Sequence, residues 1–146
     1  LEITYLLEGL PPGKSFHFGV EFNFAGLPSG AEDRFFYDER TERMGHLGST
    51  LSLEGRDYLG MIDQWLGANI QMTWNRSTNL WCFPVETVSQ SEGGFELVHQ
   101  SVCVLPHWNV IGDSQGRWCV SMDLITTCEH EPNSRAAQLS FSHASF

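Results

Sequence analysis

The residues best suited to chemistry lie between Leu80 and Glu96, LWCFPVETVSQSEGGFE. Trp81 stands near its start, and Ser89, Gln90, Ser91 and Glu92 form one polar run before Gly93 and Gly94. Side chains that donate and accept, held beside a large aromatic, suit a sugar ring. Its hydroxyls pair with the polar groups, and its apolar C–H face stacks on the aromatic. Gln90 and Glu92 are the candidate polar pair. The same residues also read as a β-hairpin whose turn uses Ser89, Ser91 and Glu92 to satisfy local backbone donors. Glu21 and Asn23 form a second polar pair on one face of a strand, where they either line a groove or simply meet solvent.

Five tryptophans, Trp65, Trp74, Trp81, Trp108 and Trp118, supply the aromatic candidates. Trp81 alternates with Phe83 and Val85 and is expected in the core. Trp74 abuts the polar segment Asn75–Asn79, and Trp108 follows Pro106 near a loop. These two are the expected stacking platforms. Alanine at either is then expected to weaken polysaccharide retention without lowering the melting temperature.

Strands must position these residues. Phe16, Phe18, Val20, Phe22 and Phe24 alternate with His17, Gly19, Glu21 and Asn23, the pattern of a half-buried strand with a strong core face. Further strands are expected near residues 3–7, 34–37 and 47–53, and at 68–74, 80–88, 95–105 and 117–127. A last one is expected near Gln138–Phe141. Asn75–Asn79 reads as the turn of a hairpin, Pro106 as a strand end, and Gly112–Gly116 as another turn. Residues 38–45 read as irregular or as one helical turn. No segment keeps a helical period over two turns. An all-β fold follows, an antiparallel β-sandwich of two packed sheets, with a closed barrel as the alternative.

The 146 residues suit one domain, 1–146. The net charge is −10, and Lys14 is the only lysine. This argues against nucleic acid and against an anionic membrane surface, both of which need a basic footprint. No apolar run reaches the length of a membrane-spanning helix. The chain opens at Leu1, which suggests processing or excision from something longer. The location, cytoplasmic or secreted, stays open. Cys82, Cys103, Cys119 and Cys128 fit no metal-binding spacing and read as small buried hydrophobes, with disulfides as the alternative. The histidines are scattered, and Glu32–Asp33 with Asp38–Glu39 read as an ordinary acidic loop rather than a calcium site. No metal and no cofactor is expected.

WCFPVETVSQSEGGFE resembles the W-x-F-P-[IV]-x-T-[VL]-S-Q-S-E-x-G-[FW] signature of a C-terminal β-sandwich domain. That domain follows the catalytic barrel in 4-α-glucanotransferase and α-amylase-type enzymes of glycoside hydrolase family 57. FGVEFNFA (Phe18–Ala25), LGMIDQWLG (Leu59–Gly67) and LVHQSVCVLPHW (Leu97–Trp108) are similar to further segments of it, in consistent order from Gly19 to Thr127. The family usually has Gln-Gly where this chain has Gln100-Ser101.

The resemblance implies a galactose-mutarotase-like sandwich and a role in binding α-glucan, without catalysis, since the family's catalytic carboxylates lie in the barrel. Three functions stay open. The first is a non-catalytic carbohydrate-binding module for an α-glucan or related polysaccharide. The second is a structural domain packed on the barrel of its parent enzyme. The third is a small epimerase of mutarotase type, which would need a positioned acid and base. The chain also looks short at its N-terminus, so an open sheet edge is expected to permit a homodimer.

Overall fold

The computed structural model describes residues 1–27, 31–91 and 93–128. The strand expected near Gln138–Phe141 lies outside them. The described residues form β1 (Glu2–Leu7), β2 (Ser15–Gly19), β3 (Phe22–Ala25), β4 (Arg34–Tyr37), β5 (Arg43–His46), β6 (Leu51–Asp63), β7 (Ala68–Ser91), β8 (Gly94–Ile111) and β9 (Trp118–Cys128). All pairings are antiparallel, and the fold is the β-sandwich expected.

The two layers share β7, which changes partners along its 24 residues. From Ala68 to Trp74 it lies between β9 and the second half of β6, in the layer β1–β9–β7–β6–β4–β5. From Asn79 onward it pairs with β8, whose other edge carries β2 and then β3. The first half of β6 stays alongside, with Leu51 opposite Cys82 and Leu53 opposite Leu80. The core fills the space between the layers. Phe36, Leu59, Met61, Met72, Trp74, Val120 and Met122 come from one side, and Leu80, Cys82, Val102, Val104, Trp108 and Val110 from the other.

Asn75–Asn79 is therefore not a hairpin turn. Asn, Ser and Thr favour turns because their short side chains bond nearby backbone. Here several bond other strands instead. Asn75 Oδ1 accepts the Ser121 N–H at 2.9 Å, and Asn79 Oδ1 accepts the Gly55 N–H at 3.1 Å. Arg76 Nε donates to the Cys119 carbonyl at 2.6 Å. Gly55, with φ +63°, supplies the left-handed residue where the register of β6 shifts beside this bend.

Pro106 does not end its strand either. The N–H and C=O of one residue in an antiparallel strand point to the same neighbour. Pro106 C=O accepts the Val20 N–H at 3.0 Å, so its missing N–H faces the break between β2 and β3 and leaves the β7 pairing intact. That break divides the single strand expected over residues 16–24. The core side of its alternation is as expected, but Phe16 is 41% exposed, and Phe18, Phe22 and Phe24 are only partly buried. Residues 38–42 are irregular, as one of the two expectations had it, with Asp38 Oδ1 accepting the Arg40 and Glu42 N–H groups, whereas 43–45 belong to β5.

Candidate functional site

The phase of the alternation along β7 decides which residues can meet a ligand. Leu80 and Cys82 point into the core and are fully buried, as are Val102 and Val104 on β8. The opposite face of this layer therefore carries Asn79, Trp81 and Phe83 from β7 and Cys103, Leu105, His107 and Asn109 from β8. His17 and Gly19 of β2 and Asn23 of β3 complete it, opposite Asn109, His107 and Cys103 respectively.

Trp81 stands on this outer face, 42% exposed. This corrects the expectation that it belongs to the core. Its ring lies 4.2 Å from that of His107 and 5.8 Å from that of His17. The two imidazoles bond each other, His17 Nε2 to His107 Nδ1 at 2.9 Å. Gly19 permits this close packing: a Cβ there would come within 3.0 Å of Leu105 Cδ2 and 3.4 Å of His107 Cβ. Glu21 and Asn23 share the face as expected. Asn23 Nδ2 donates to Glu21 Oε1, and Ser101 Oγ reaches Asn23 Oδ1 at 3.5 Å.

His107 is nine-tenths buried, and its Nε2 has no hydrogen-bond partner. Burial, with the neighbouring His17, holds its pKa below the ordinary value of 6.5. The folded chain thus binds this proton less readily than the unfolded chain. The stability His107 contributes is complete above about pH 6.5 and is lost as the pH falls below that toward the folded-state value. The melting temperature is expected to drop between about pH 7 and pH 5, and less steeply in His107→Gln. Equal slopes would remove His107 as the source.

A cleft adjoins the face where β7 leaves β9 to join β8. Arg76, Ser77, Asn79, His107, Asn109 and the edges of Trp108 and Trp118 line about 480 Å³ of it. A neighbouring pocket of about 440 Å³ shares Arg76 and Trp118 as lining and adds Leu6, Ile111, Asp113, Arg117 and Cys119. Arg76 lies over the Trp118 ring, 5.5 Å from its centroid.

Trp74 and Trp108, expected as exposed platforms, are 5% and 6% exposed. Both lie on the inward phase of their strands. The Trp108 ring stacks on Phe18 at 6.0 Å, and its Nε1–H donates to Thr78 Oγ1 at 3.0 Å. Gln90 is exposed near the tip of the β7–β8 hairpin, opposite Phe95. Eight residues of β8 separate Phe95 from Cys103, the partner of Asn23, so Gln90 lies about 26 Å along the strand from the Glu21–Asn23 pair. Glu92 lies outside the described residues. The structure thus joins Glu21 and Asn23 to Trp81, which the sequence placed inside, and not to Gln90. The polar alternation His17-Gly19-Glu21-Asn23 was the signal for this face. Composition set Trp81 beside a polar run, but its alternation with Phe83 and Val85 pointed to the core.

The thiols divide in two. Cys82 and Cys103 are buried, with pKa values pushed up to about 12 and about 11 by burial, whereas Cys119 and Cys128 are exposed. All four are free, so two of them depart from the buried reading.

Residues 1–122 match the family model described as Alpha-amylase/4-alpha-glucanotransferase, C-terminal. The chain belongs to this family. Among solved structures, this glucanotransferase-type C-terminal domain is similar to 4-alpha-glucanotransferase from Thermococcus litoralis. The identity is 18% and the TM-score 0.57, over 84% of this chain and 16% of that one. At that identity the likeness concerns the fold, and the chain spans only a small part of that enzyme. A weaker likeness links it to the Slr1438 protein of Synechocystis sp. PCC 6803, at 12% identity and TM-score 0.43, over 88% of this chain and 50% of that one. A search of curated proteins returns no match. As a C-terminal domain of this enzyme type, the chain is consistent with an accessory rather than a catalytic part.

Proposed function

We propose that the domain is a non-catalytic carbohydrate-binding module that holds α-glucan for a glucan-active parent enzyme. The observation that supports this reading is Trp81, exposed at the centre of a face that also carries Glu21, Asn23, Asn79, His17 and His107. A flat indole among side chains that donate and accept suits a sugar ring, which stacks its C–H face and pairs its hydroxyls. Trp81→Ala is expected to weaken α-glucan binding by about 10- to 100-fold, the loss typical of a dominant contact residue. Affinity electrophoresis in glycogen or amylose gels reads the change. The melting temperature should hold, because the ring is half exposed. A wild-type domain that is not retarded by any α-glucan would sink this reading.

The epimerase reading has less support. It needs a histidine and a carboxylate sharing a pocket. Among the described residues, His17 and His107 bond each other, and His99 Nε2 bonds the Leu27 carbonyl.

A packing role on the catalytic barrel of the parent is favoured by a different surface. The far half of the β7–β8 hairpin places Val88, Phe95 and Leu97 on one face, at 67%, 77% and 66% exposure. Three adjacent apolar side chains this open suit the surface of a neighbouring domain. The two roles use separate faces and are compatible in one domain.

A further inference from the structure

Basic side chains are scarce in this chain, eight Lys and Arg against 18 Asp and Glu, so their placement is informative. Arg34 is paired with Asp63 at 3.0 Å and with Asp33 at 3.5 Å, and Arg43 with Glu32 at 3.1 Å. Lys14, Arg40, Arg56, Arg76 and Arg117 form no ion pair among the described residues, and of these Arg76 and Arg117 converge on one pocket. Both line it at the outer end of the cleft, beside Trp118. Arg76 uses Nε on the Cys119 carbonyl, which fixes the guanidinium, and among the described residues its two terminal amino groups have no hydrogen-bond partner. The one carboxylate lining the same space is Asp113. Its Oδ1 accepts the Arg117 and Gln115 N–H groups of its own turn at 2.9 Å each, and these bonds together with the Arg117 charge hold its pKa below the ordinary value.

We propose that this end of the cleft is an anionic subsite, which takes a phosphate-monoester or carboxylate substituent on a glycan lying across the outer face. The inference rests on the carbohydrate-binding reading and extends it to a class of substrate. Guanidinium groups offer forked N–H donors that match the paired oxygens of both anions, and a charge-assisted bond is about twice as strong as a neutral one. The half-buried Trp118, whose ring Arg76 covers, adds apolar surface to the same pocket. Arg76 and Trp118 are shared with the inner part of the cleft, which reaches Asn79 and His107. His107, which packs against Trp81, lines the inner part, so a chain of sugars that extends from Trp81 past His107 would approach the arginines.

The test compares three oligosaccharides of equal length by titration calorimetry: neutral maltoheptaose, maltoheptaose carrying one phosphate monoester, and an oligogalacturonide. The wild-type chain is expected to bind at least one anionic oligomer about tenfold more tightly than the neutral one. That preference should shrink as salt rises from about 50 mM to about 500 mM. Arg117→Gln should remove most of the preference, and Arg117→Lys should keep part of it. Comparing the phosphate and carboxylate arms tells which substituent the subsite takes. Equal affinity for neutral and anionic oligomers would overturn the subsite while leaving glucan binding intact. So would a preference that is insensitive to salt and to Arg117→Gln. Binding to none of the three would overturn both readings. If Arg117→Gln lowers the melting temperature, the wild-type salt dependence decides: a preference that persists undiminished in high salt rules the subsite out.

Discussion

Trp108→Ala is expected to lower the unfolding free energy by about 3–5 kcal/mol, the usual cost of deleting a buried indole. The ring lies in the core, stacked on Phe18 and 5.6 Å from Trp118. Its Nε1–H donates to Thr78 Oγ1, and Thr78 is itself fully buried. The alanine leaves a cavity beneath the cleft and removes that bond, although Thr78 still donates to the Arg76 carbonyl at 2.8 Å. Trp108→Phe should cost less, since it keeps much of the packing and loses mainly the hydrogen bond. Urea denaturation of the three proteins reads both values. A loss below about 1 kcal/mol for the alanine would show that the ring is not packed as described. The contrast with Trp81 is the useful part. One tryptophan should govern stability and the other binding, the reverse of what their sequence neighbourhoods suggest.

Gly60→Ala should cost about 3 kcal/mol, at the upper end for overpacking a core. Gly60 lies opposite Tyr37 across β4 and β6, and the ring of Tyr37 covers it. A Cβ at Gly60 would overlap the Cζ, Cε1 and Cε2 atoms of that ring. The tyrosine cannot easily withdraw. It is 4% exposed and donates to Asn69 Oδ1 at 2.8 Å. Its hydroxyl also accepts from Tyr58 at 3.1 Å and from Gln71 at 3.3 Å. Moving the ring therefore breaks a hydrogen-bond network as well as a packing contact. For a domain of this size the loss corresponds to a drop in melting temperature of about 6–12 °C. An unchanged melting temperature would mean that the ring swings away freely. The same alanine in a Tyr37→Leu background should cost less, because the smaller side chain gives the methyl room.

Much of the fold was legible because it rests on period. Alternation with period two marked the regions of β1, β2–β3, β7, β8 and β9, and the residues at Gly112–Gly116 marked the last turn. The family-like segments were legible because a run such as SQSEGG is specific in composition. Two features of β7 were not. Asn75–Asn79 has turn composition, yet its side chains bond the adjacent β6 and the remote β9, pairings that local composition does not show. Trp81, Phe83 and Val85 form an apolar series, but so do Leu80, Cys82 and Pro84. With both series apolar, period alone does not say which one faces inward. A shift of one residue exchanges the two faces of a strand.

By itself the sequence determined the all-β character, the polar side of β2 and β3 with Glu21 and Asn23, and the kinship with glucanotransferase C-terminal domains. Each depends on residue type and local spacing, which the chain carries whatever its partners. Only the tertiary structure decided that Trp81 faces out and Trp74 and Trp108 face in. It also decided that β7 bends from one layer to the other, and that a cleft opens at the bend. Those features depend on which distant strand pairs with which residue. Val102, Val104 and Val120, remote in sequence, supply the core that draws Leu80 and Cys82 inward and leaves Trp81 to the solvent.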